Sequence, residues 1–140
     1  MAEDFDADGD IDLGYVGLSG AVGWLESDGG STPTFTDHLL GSSFGKGTSI
    51  SAGDIDGDGD QDMLVAMSAN PMVPRPYDDS FVIFENDGSG GFSDELFDSG
   101  QDPTSIVAQD LDGDGDLEVC LLYTSPSPRD LSTSRMPSSA

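Results

Sequence analysis

The stretch DIDGDGDQDM, residues 54–63, sets an aspartate at every second position from Asp54 to Asp62, with Gly57 and Gly59 between them. Alternate residues project to the same side of an extended chain, and glycine permits a sharp turn, so the carboxylates can converge. Two carboxylates about 4 Å apart repel by about 4 kcal/mol at an effective dielectric near 20. Such a loop opposes folding unless a cation sits among the oxygens. Calcium takes about six to eight oxygens at about 2.3–2.6 Å, and a glycine at the sixth position suits the turn. The spacing assigns Asp54, Asp56, Asp58 and Asp62 as side-chain ligands and Asp60 as a ligand through its carbonyl.

The same decade recurs. DFDADGDIDL at residues 4–13 and DLDGDGDLEV at residues 110–119 lie 50 residues before and 56 residues after it. In the first copy Asp4, Asp6, Asp8 and Asp12 take the side-chain positions, Asp10 the carbonyl position and Gly9 the turn. In the third, Asp110, Asp112 and Asp114 are followed by Gly115 and Asp116, and Glu118 replaces the last aspartate. A solvated acidic turn is the alternative reading of one such run; three phased copies favour a metal loop, with up to three calcium ions. An EF-hand is excluded, because the twelfth position is Tyr15 or Val65 rather than glutamate and the flanks do not read as helices.

The similarity extends between the loops. GWLESDGG (23–30) echoes VIFENDGS (82–89), TFTDHLLGSS (34–43) echoes GFSDELFDSG (91–100), and TSISAGD (48–54) echoes TSIVAQD (104–110). Short apolar runs such as MLVAM (63–67) and FVIF (81–84) suit strands covered on both faces. Asp28-Gly29 and Asp87-Gly88 are hairpin signals. Each unit therefore reads as strand, aspartate loop, strand, strand, tight turn, strand. The expected fold is all-β, with about two four-stranded antiparallel blades of an incomplete β-propeller over residues 1–119.

The combination D-x-D-x-D-G-x-x-D-L, a strand, then E-N-D-G-x-G-x-F resembles the FG-GAP/VCBS repeats, the calcium-loop blades of integrin-α-like propellers. The resemblance covers residues 1–119 and implies a calcium loop between the first and second strands of each blade. It also implies an extracellular or cell-surface setting, with a structural, adhesive or ligand-binding role toward a protein or polysaccharide. Membership of a polysaccharide-active enzyme such as a lyase or hydrolase is the alternative, any catalytic residues then lying elsewhere. Within this stretch no acid/base pair stands out from the phased carboxylates, so no catalytic residue is assigned and the segment is expected not to be an enzyme.

Charge supports this reading. The 140 residues carry a formal net charge of −24, with Lys46, Arg75, Arg129 and Arg135 the fixed positives. Nucleic acid backbones and anionic membranes would be repelled. No apolar run is long enough to span a bilayer as a helix. No basic leader opens the chain, and the sequence reads as a fragment.

Residues 120–140 differ in character: they hold Cys120, two of the four basic residues and a single acid, Asp130. Back-translated, residues 120–130 and 134–140 resemble two blocks of a transposase-library sequencing adapter, with 131–133 where a variable index lies. The segment is therefore set apart as read-through expected to be disordered; a Ser/Pro-rich linker is the alternative.

Further expectations concern individual residues. Trp24, Phe35, Phe84 and Phe92 should pack in the core. His38 should be an exposed strand residue. The proline-bearing insertion at residues 68–80, with Arg75 and Tyr77, is a candidate contact loop.

Overall fold

The computed structural model describes residues 1–42, 44–69 and 80–123. Ten strands form three antiparallel sheets, and no helix forms among the described residues. The first sheet holds β1 (Ala2–Glu3), β2 (Asp12–Val16), β3 (Val22–Ser27) and β4 (Phe35–Gly41) in sequence order. The second repeats that order with β5 (Lys46–Gly53), β6 (Asp62–Ser68), β7 (Ser80–Asn86) and β8 (Phe92–Asp98). The third pairs β9 (Pro103–Gln109) with β10 (Glu118–Tyr123). The sheets are open rather than closed into a barrel, as expected of blades from an incomplete propeller. Each aspartate loop joins the first strand of its sheet to the second.

The middle sheet explains the unbroken apolar run. Met63, Leu64, Val65, Ala66 and Met67 are all 0% exposed, because both faces of β6 are covered. Met63, Val65 and Met67 join Val82 and Phe84 in a cluster with Phe5, Val22, Trp24 and Phe44 of the preceding segment. Leu64, Ala66 and Ile83 turn the other way, onto Ile106 and the partly buried Ala108, Val119 and Leu121 of the third sheet. Strand alternation thus feeds two separate cores from one strand.

Of the four aromatics expected inside, Trp24 and Phe84 are 2% exposed and Phe92 packs against the first cluster. Phe35 departs from this at 45% exposed. Phe92 meets Phe5 edge-on at 5.9 Å, across the boundary between the sheets. Its counterpart Phe35 has no earlier sheet beside it among the described residues, so the same side chain faces solvent. Register bears out the equivalence of residues 23–30 with residues 82–89. Trp24 pairs with His38 and Ile83 with Glu95, so Trp24 corresponds to Ile83. Trp24 and Phe84 share one cluster because the middle sheet turns opposite faces to the first and third sheets.

His38 is less free than expected. Its ring stacks on Trp24 with centroids 4.5 Å apart, and its Nε2 lies 2.6 Å from Glu26 Oε2. β10 pairs with β9 through Tyr123, past the residue-119 boundary drawn from the sequence. An apolar, β-prone run such as CLLY pairs with an available edge whatever its origin. Residues 124–140 lie outside the described residues, as do Arg75, Tyr77 and most of the insertion that carries them.

Candidate metal centre

The three loops repeat one hydrogen-bond scheme. The first aspartate of each accepts from the glycine N–H five residues on: Gly9 to Asp4 Oδ2 at 3.0 Å, Gly59 to Asp54 Oδ2 at 3.0 Å, Gly115 to Asp110 Oδ2 at 3.1 Å. The aspartate at the third position accepts from the fifth residue's N–H, and the fifth from the seventh's. In the second loop these are Asp58 N to Asp56 Oδ1 at 3.1 Å and Asp60 N to Asp58 Oδ1 at 2.9 Å. Aspartate side chains favour such local turns. The result is a tight coil in which one carboxylate oxygen from each of Asp4, Asp6 and Asp8 lies within 4.8 Å of the others. Asp54, Asp56 and Asp58 converge equally, and in the third loop the grouping is Asp110, Asp112 and Glu118.

The coil requires left-handed backbone at two places, the sixth position and the fourth. Gly9, Gly59 and Gly115, at the sixth position, have φ of 96°, 101° and 101°. The fourth position is left-handed too, with Gly57 at 78° and Gly113 at 81°, and the first loop puts Ala7 there at 60°. Ala7 is the only described non-glycine residue with positive φ.

The ninth position has a structural task that loop spacing does not show. Asp12 and Asp62 are 0% exposed. Asp62 Oδ2 accepts from Ile55 N at 2.7 Å and its Oδ1 from Asn86 N at 2.9 Å. Asp12 does the same with Phe5 N at 3.0 Å and Ser27 N at 2.8 Å. Each carboxylate therefore staples its loop to the third strand of its own sheet, and neither stands in the converging group. Burial pushes the Asp62 carboxyl above the usual range, against the lowering effect of the two N–H donors. Glu118 is half-buried; its Oε2 takes the loop N–H of Leu111 at 2.7 Å.

The seventh-position side chains turn away from the coil. A Cβ on Gly29 would collide with the Asp10 carboxylate, and one on Gly88 with that of Asp60. Asp10 and Asp60 thus lie over the hairpins that Asp28 and Asp87 organise. Desolvation, then the neighbouring carboxylates, raises both above the ordinary carboxylate range. Asp6 is raised as well, chiefly by burial.

Two oxygens test whether the loops fit a cation. Asp4 Oδ1 and Asp54 Oδ1 are buried and have no hydrogen-bond partner. A buried carboxylate oxygen left without a donor costs roughly 1–3 kcal/mol or more. Both belong to the first ligand position, beside the converging carboxylates. A hard cation with all-oxygen preference meets that need.

The FG-GAP-like repeat description matches residues 4–65 and 72–121. The chain belongs to the FG-GAP-like repeat family and is a segment of β-propeller-type repeats. No curated protein and no solved structure matched it.

Proposed function

We propose that the chain is a calcium-binding segment of a β-propeller whose parent protein works outside the cell or at its surface, in a structural, adhesive or ligand-binding role. The observation that carries the calcium reading is the pair of buried, partnerless oxygens, Asp4 Oδ1 and Asp54 Oδ1, each on one of the three converging carboxylates of its loop. An ion there would accept Asp4, Asp6 and Asp8, or Asp54, Asp56 and Asp58, as side-chain ligands. Backbone carbonyls of Asp10 and Asp60 would add to the shell. The family membership supports both the metal and the extracellular setting, since repeats of this kind often bind calcium and usually occur in extracellular proteins.

Extracellular calcium modules bind at about 10⁻⁴–10⁻³ M, so occupancy suits extracellular fluid or seawater. At tenfold excess over Kd each site adds about 1.4 kcal/mol of stability. The test is thermal melting of the 140-residue chain in millimolar calcium and after chelation. A higher Tm in calcium, reversed by chelator and not reproduced by matched sodium chloride, is the expected result. Identical melting curves would remove the calcium reading. The partner is proposed as an extracellular protein or polysaccharide, and no catalytic function is proposed for these residues.

A further inference from the structure

We infer that Asn86 couples the first and second aspartate loops, so that an ion entering one changes the affinity of the other. Asn86, the last residue of β7, is 4% exposed and uses every polar atom of its side chain. Its Nδ2 donates to Phe5 O in the first loop at 2.7 Å and to Gln61 O in the second at 3.1 Å. Its backbone N–H holds Asp62, and its Oδ1 accepts from Gly88 N at 3.1 Å. Phe5 lies between the ligand positions Asp4 and Asp6, and Gln61 immediately precedes Asp62. One side chain therefore ties the backbones of two metal loops from different sheets.

The bracket is reinforced around it. Phe92, the register partner of Asn86, packs edge-on against Phe5. Gly90 of the same hairpin runs against the Trp24 ring, where a Cβ would come within 2.7 Å of it. A shift of the second loop on binding an ion thus moves Asn86 against the first loop's carbonyl, because buried hydrogen bonds and packed rings transmit small displacements. The first sheet indicates which part of Asn86 is special. Its counterpart is Ser27, whose backbone N–H holds Asp12 and whose Oγ accepts from Gly29 N at 3.2 Å. Serine thus performs the carboxylate and hairpin tasks of this position, and asparagine adds the two Nδ2 donations, to Gln61 in its own loop and to Phe5 in the neighbouring one.

The inference rests on the calcium reading, and a double-mutant cycle separates the two. Calcium binding is measured calorimetrically on the full chain, on a variant with the second loop disabled (Asp54→Asn with Asp56→Asn), on Asn86→Ser, and on the combination. About 0.15 M salt limits direct charge coupling between loops to a Debye length of about 8 Å. Disabling the second loop should weaken the first at least about fivefold with Asn86 present, and about twofold or less in the Asn86→Ser background. Asn86→Asp, which removes the same two donations, keeps the test available should Asn86→Ser fail to fold. First-loop affinity that ignores the second loop, or coupling unchanged by both substitutions, overturns the inference while leaving the metal sites standing. No calcium binding in the unmodified chain overturns both.

Discussion

The first and third aspartate loops share a backbone scheme and four aspartates at matching positions, yet they present different chemistry to an ion. In the first, Asp4 Oδ1 is buried without a donor; in the third, Asp110 Oδ1 already accepts from Gly113 N at 2.6 Å. In the first, Asp12 ties the loop to the third strand through Ser27; in the third, Glu118 reaches only the loop's own Leu111 N–H and joins the carboxylate group itself. The first loop is also covered by the hairpin of the next sheet, whereas Asp110, Asp112 and Glu118 stand on a two-stranded edge. A loop of this type is therefore completed by its surroundings. The ninth-position carboxylate needs a third strand to hold, and the first-position carboxylate stays open for an ion only when the coil does not consume both its oxygens.

The largest expected effect contrasts the two ninth-position acids. Asp62→Ala leaves the buried N–H of Asn86 and the partly buried N–H of Ile55 without acceptors, and should lower stability by about 3 kcal/mol in denaturant unfolding. Glu118→Ala should cost no more than about 1 kcal/mol, because only one half-exposed hydrogen bond is lost. Equal losses at the two sites would break the contrast.

A smaller effect comes from the fourth loop position. Left-handed backbone costs an L-residue about 1–2 kcal/mol, while glycine loosens the unfolded chain by about 0.4–1 kcal/mol. Ala7→Gly should therefore stabilise the chain by about 0.5 kcal/mol, and Gly57→Ala should destabilise it by a similar amount. Both are read from urea midpoints at constant m-value.

The smallest effect is set by pH. Hydrogen bonds, first from the Ser89 hydroxyl and then from the N–H groups of Ser89 and Gly91, hold the Asp87 carboxyl below its ordinary 3.8, and Thr34 with Gly30 does the same for Asp28. A depressed folded-state value means stability present above the unfolded-state value and lost as pH falls through the folded one. Unfolding midpoints between about pH 5 and about 2.5 should fall less steeply for Asp87→Asn than for the unmodified chain. Parallel profiles would mean that the hairpin acid adds nothing to stability.

Much of this was legible in the sequence for a physical reason: the repeat is written in residues whose roles are local. The phased aspartates, the sixth-position glycines and the Asp-Gly hairpins each act within a few residues, and so set the strand order and the loop placement. The unbroken run 63–67 likewise announced a strand covered on both faces. What escaped was non-local or masked by identity. Ala7 hides a left-handed position that Gly57 and Gly113 reveal. The stapling task of Asp12 and Asp62 was hidden from spacing, because their second partners, Ser27 and Asn86, lie on a different strand. Asn86 stands in the E-N-D-G motif, yet nothing local announces its reach to Phe5, 81 residues away. Phe35 differs from Phe92 only in what stands beside it, which no local pattern encodes.

The most direct test of the account is a calorimetric calcium titration of the 140-residue chain, set beside Asp4→Asn, Asp54→Asn and Asp110→Asn. The account predicts two ions bound by the first and second loops, each lost with its own first-position substitution. A third ion should bind at least about tenfold more weakly and be the only one affected by Asp110→Asn, a gap of about 1.4 kcal/mol. No calcium heat at all, or a third loop that binds as tightly as the other two, would contradict it.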